Sequence, residues 1–96
     1  MNEFAGVSIR PDDYGRLLAI CSDSELPATF EEWAEIARAD TLDARDRGAP
    51  QALISVEVDD FVLWCSAVGL VPCSEALREF VVIQRARSQR RADRAT

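Results

Sequence analysis

The sequence contains no histidine and no lysine. Without an imidazole, a serine or cysteine nucleophile lacks its usual base, so the common hydrolytic constellations are excluded. Without lysine, every cation is an arginine, which points to a GC-rich bacterial genome more than to selection for bidentate contacts. Glycine is scarce, and Gly6, Gly15, Gly48 and Gly69 stand isolated, so there is no phosphate-cradling loop, dinucleotide fingerprint or nucleophile elbow. No apolar run approaches the roughly 18–20 residues that a membrane span needs. Met1 to Gly6 shows no basic segment followed by an apolar stretch, so we expect no signal peptide and a cytoplasmic chain without membrane contact. The three cysteines, Cys21, Cys65 and Cys73, are odd in number and form no C-x-x-C pair. They read as reduced thiols, two of them on apolar helix positions, and neither a metal nor another cofactor is expected.

What is present is a chain of 96 residues, 48% apolar and 29% charged, an ordinary balance for one small globular domain. The formal net charge of −6 is unevenly spread. Residues 1–83 hold sixteen acids and six arginines, whereas 84–96 hold five arginines and one acid. We therefore read 1–83 as a single compact acidic domain and 84–96 as an arginine-rich extension, either a solvated helix or frayed. An acidic body repels nucleic acid and anionic membrane and favours basic protein surfaces.

Local patterns predict a mainly helical α+β fold. Phe4 to Ile9 is a short strand candidate, ended by Arg10-Pro11. Pro11 suits a first helical position, with Asp12 and Asp13 at the positive end of the dipole. Tyr14, Leu17, Leu18 and Cys21 then recur at helical spacing, and Ser22-Asp23-Ser24 ends the helix in turn chemistry. A second helix starts at Thr29, with Glu32 three residues on in a capping-box pattern. Its apolar arc holds Phe30, Trp33, Ala34, Ala37, Thr41 and Ala44, and Gly48-Ala49-Pro50 stops it. Gln51 to Val58 alternates as a strand. A third helix, capped by Asp59 or Asp60, carries Phe61, Trp64, Cys65 and Val68 and ends at Gly69. Leu70 is expected to fold back on Cys65 there. Pro72 opens the last helix, whose buried side is Ala76, Leu77, Phe80, Val81 and Ile83. One strand cannot satisfy its own backbone, so the two strands form a minimal ribbon under about four short helices, or one strand pairs across a homodimer.

Three function classes follow. Catalysis is disfavoured: the carboxylate pairs Glu31/Glu35 and Glu32/Glu35 lie on the face opposite the apolar arc, where solvent keeps both members ionised. We expect no enzyme. A helix-turn-helix built from the last two helices would need basic or amide groups at the start of its second helix, yet Glu75 and Glu79 stand there with only Arg78. Protein interaction remains. Glu31, Glu32, Glu35, Asp40, Asp43 and Asp46 form a negative stripe that can dock a basic protein surface, as an adaptor or inhibitor would. Ile36 and Leu42 lie among those acids, outside the buried arc. Trp33 and Trp64 occupy core-facing positions. The alternative is a nucleic-acid-associated regulator that holds phosphates through Arg85, Arg87, Arg90, Arg91 and Arg94. That tail can also pair with the acidic stripe, within one chain or between two, and self-association into a homodimer would then weaken with added salt.

Overall fold

The computed structural model describes residues 4–21, 25–48 and 53–95, the side chains of Gln89 and of residues 91–95 excepted. In chain order the elements are β1 (Val7–Ile9), α1 (Pro11–Ile20), α2 (Phe30–Asp46), β2 (Ile54–Val56), α3 (Val58–Val68) and α4 (Ser74–Ala95). This is the mainly helical α+β architecture that the sequence pattern predicts, with the helices packed on a two-stranded ribbon.

The strands run parallel, Val7 opposite Ile54, Ser8 opposite Ser55 and Ile9 opposite Val56. Parallel neighbours require a long crossover, which α1 and α2 supply. In each strand the two outer residues are buried and the central serine is exposed, so a period of two turns one apolar face to the helices. The partner of β2 is therefore β1 of the same chain.

Helix α1 begins at Pro11, with Asp12 and Asp13 in its first turn. Asp13 does more than meet the dipole. It is buried, accepts from Arg10 Nε at 3.3 Å and Nη2 at 3.2 Å, and lies 3.6 Å from Arg16 Nη1. Arg16 reaches on to Asp59 at 2.6 Å, tying α1 to the first turn of α3. The expected turn at Ser22-Asp23-Ser24 lies outside the described residues.

Helix α2 has its predicted start: Thr29 Oγ1 accepts the N–H of Glu32 at 3.2 Å. Trp33, Ala37 and Ala44 are buried and Phe30, Ala34 and Thr41 half-buried, so the predicted arc faces the core. Gly48 follows the helix with φ 73°, a conformation glycine adopts without cost; Ala49 and Pro50 lie outside the described residues.

Three boundaries differ from the sequence reading. The first strand begins at Val7 and not at Phe4, because Phe4 to Gly6 form a turn closed by the Val7 N–H on the Phe4 carbonyl. The second strand closes at Val56, and Val58 is already the first residue of α3, with Glu57 at the cap position instead of Asp59 or Asp60. Ile54, Val56 and Val58 are all buried, so a strand period and a helix start satisfy the same alternation at Val58. Asp59 and Asp60 instead occupy the first helical turn, where the dipole favours them. Helix α4 opens at Ser74, not at Pro72. The cap is Cys73, whose carbonyl accepts Leu77 N–H at 3.0 Å and whose Sγ accepts Ala76 N–H at 3.4 Å. Between the two helices Gly69 is left-handed (φ 77°), and Leu70 N–H reaches the Cys65 carbonyl at 2.8 Å, a Schellman ending.

The core has two aromatic centres. Under α2, Trp33 packs on Phe4, Tyr14 and Phe30 with ring centroids 5.7–6.0 Å apart. Between α3 and α4, Phe80 meets Phe61 at 5.6 Å and Trp64 at 5.5 Å. Burial of each such ring contributes about 1.5–3 kcal/mol. Trp33 is buried and Trp64 half-buried, both on the core side. On α4, Val81 is buried and Ile83, Gln84 and Arg85 are half-buried.

Candidate interaction surface

The candidate surface is the outer side of α2, rigid because its inner side is locked by the Trp33 cluster. Glu31, Glu32, Glu35, Asp43 and Asp46 are exposed, as are the two aliphatic residues among them, Ile36 at 44% and Leu42 at 51%. At about 100° per residue the face divides into two flanks. Glu32, Asp43 and Ile36 share one; Glu31, Glu35, Asp46 and Leu42 share the other. Asp43 is partly neutralised by Arg47 one turn on, at 3.2 Å. The carboxylates of Glu31, Glu32 and Glu35 thus stand in water, away from the cysteines, which are buried (Cys21, Cys65) or half-buried (Cys73). Burial and the neighbouring Cys73 push the Cys65 thiol up, which makes it a poorer nucleophile.

Asp40 behaves differently from the other five. It is half-buried, and its Oδ2 accepts the N–H of Phe4 at 3.1 Å. Beside it Thr41 Oγ1 accepts the N–H of Gly6 at 3.0 Å and donates to the Ala37 carbonyl at 2.7 Å. These two side chains seat the segment that leads into β1. The polar Thr41 within an otherwise apolar arc was the visible sign that the arc must meet a backbone.

The arginine tail continues α4 through Ala95. Arg85 donates to the carbonyl of Ala5 at 2.9 Å. Arg87 and Arg90 are exposed, and the side chains of Arg91 and Arg94 lie outside the described residues. At the other end of α4, Ser74 is buried and donates to Glu25 at 2.9 Å, and Arg78 lies 3.5 Å from the same carboxylate. The helix start that a DNA groove would have to receive is engaged by the α1–α2 connection.

Two surface features escaped sequence reasoning. Val62, Leu63 and Val68 of α3 and Leu70 and Val71 after it are exposed, because a helix this apolar carries more hydrophobic positions than its single buried face can hide. Between α2 and β1 runs a groove of about 340 Å³ whose walls include Ile9, Phe30, Trp33, Ala34, Arg38 and Leu42. The indole N–H of Trp33 is buried and has no hydrogen-bond partner among the described residues.

Among the described residues no cluster of three metal-ligating side chains occurs, and no helix is long and apolar enough to cross a membrane. Compared with known protein families, with curated proteins and with solved structures, the chain matches none.

Proposed function

We propose that the chain is a non-catalytic protein-interaction module, an adaptor or inhibitor that docks a basic partner surface on the outer side of α2. One observation carries the reading: five exposed carboxylates and two exposed aliphatic side chains share a helix whose opposite side is fixed in the core. The carboxylates steer a cationic partner and fix its register, and Ile36 and Leu42 supply area to desolvate. The surplus of acid over the rest of the chain adds long-range attraction, which salt screens.

The test compares capture by the wild-type chain with capture by a variant carrying lysine at Glu31, Glu32, Glu35, Asp43 and Asp46. Asp40 stays unchanged because it holds Phe4. Proteins retained by the wild type and lost by the variant support the reading; identical capture removes this surface. Salt-sensitive retention of duplex DNA that disappears on truncation after Ile83 would transfer the function to the arginine tail.

A further inference from the structure

The backbone of β1 is only half used. Gly6 carbonyl accepts Ile54 N–H at 2.9 Å, so in a parallel ladder Ser8 also turns its backbone groups toward β2, and Val7 and Ile9 turn theirs away. The Val7 N–H is taken by the Phe4 carbonyl at 3.1 Å. Among the described residues that leaves the Val7 carbonyl and the Ile9 N–H without a partner on the outer edge, one acceptor and one donor flanking Ser8. This is the pair that a strand edge offers to a single residue of an incoming chain. The groove beside α2 opens onto this edge, since Val7, Ser8 and Ile9 all line it although their side chains alternate in direction.

We propose that this edge and groove receive an extended segment of a partner protein as an added strand, with apolar residues alternating and a basic residue toward Glu31 and Glu35. The proposal rests on the reading of the chain as a protein-interaction module and assigns the partner's conformation. A backbone is the required occupant because the unmet groups are backbone groups at strand spacing. An apolar side chain fits between Ile9, Phe30 and Ala34. Arg38, on the same wall, has guanidinium N–H groups for a carbonyl of the added strand. Glu31 and Glu35 fall within about 20° of Leu42 on the helix circumference, just outside the groove wall that holds Arg38, and together they outnumber that cation and leave the border net acidic. A second copy adding its own β1 would bring two such acidic borders together, which opposes association.

The test selects random peptides against the full chain and synthesises the enriched sequences. Expected are sequences that alternate apolar and other residues and carry an arginine or lysine, whose replacement by glutamate weakens binding. Methylating the amide nitrogens of one alternate set of residues should abolish binding, whereas methylating the other set should leave it. Leu42→Arg, at an exposed position that leaves folding intact, should lower peptide affinity roughly tenfold or more, and Ala34→Arg should do the same. Val82→Arg on exposed α4 surface should change nothing. Absence of enrichment, insensitivity to which amides are methylated, or full binding by both groove variants overturns the proposal. A homodimer dissolved by Leu42→Arg also overturns it and gives the groove to a second copy. If reversing the acids abolishes partner capture while the groove variants retain it, the docking function stands and the added strand falls.

Discussion

Arg85, in the fourth helix, donates to the carbonyl of Ala5 at 2.9 Å, closing a contact across 80 residues of sequence. The residue that composition assigns to a solubilising tail is a clasp on the segment entering β1. Arg85→Ala is expected to lower stability by about 1 kcal/mol, the net worth of one such bond. The shift should show in the denaturant midpoint without a change in slope. Amides of residues 4–6 should exchange faster, whereas Arg87→Ala should leave both measurements unchanged.

Asp40 and Thr41 hold the same segment from the α2 side. Asp40→Ala and Thr41→Val should each cost about 1–2 kcal/mol by leaving the N–H of Phe4 or Gly6 unmet. Because both act on one short segment, the double variant should lose less than the two losses added together. Full additivity in thermal or chemical unfolding would show that the two anchors work independently.

Tyr14 donates to the Pro27 carbonyl at 2.5 Å, and burial, with the Glu32 charge second, pushes its pKa up to about 12. An unfolded tyrosine titrates near 10, so between about pH 10 and 12 the unfolded chain gives up a proton that the folded chain keeps. The stabilisation is complete below pH 10 and is lost as pH rises through that window. Tyr14→Phe should be about 1 kcal/mol less stable at neutral pH. Its deficit relative to wild type should shrink between pH 10 and 12; a constant deficit would place the phenol in ordinary solvent.

Gly69 is left-handed, and nothing stands within 4 Å of where a Cβ would be. Gly69→Ala therefore meets backbone strain without a clash, at about 1–2 kcal/mol. Gly15, inside α1 with the same open space, should respond in the opposite direction, Gly15→Ala gaining about 0.5–1 kcal/mol. The pair of variants, measured by thermal unfolding, separates conformation from packing.

How much of this was readable beforehand depends on the range of the interaction involved. Thr29 and Gly48 mark α2 because caps and terminators act within three or four residues. The alternation of Ile54 and Val56 marks β2 because a pleat has only two faces. Val58 misled because a buried residue that starts a helix can continue a strand's alternation without a break. Cys73 was missed as a cap because a thiol is a weak acceptor and rarely serves there. The tethers at Asp40, Thr41 and Arg85 join residues 35 to 80 positions apart, which no local periodicity encodes. The acidic face was legible as a pattern on a helix circumference. The groove was not, because it exists only where that helix lies beside the unpaired side of β1.

The clasped entry to β1 also dictates the sequence of events during folding. The long-range groups that secure this strand, from Asp40 and Thr41 through Ile54 to Arg85, are all synthesised after it. Strand β1 must wait for the chain as far as Arg85 before all of these contacts can close. Helical pairs can assemble early and quickly, and completing the ribbon becomes the slow, late event.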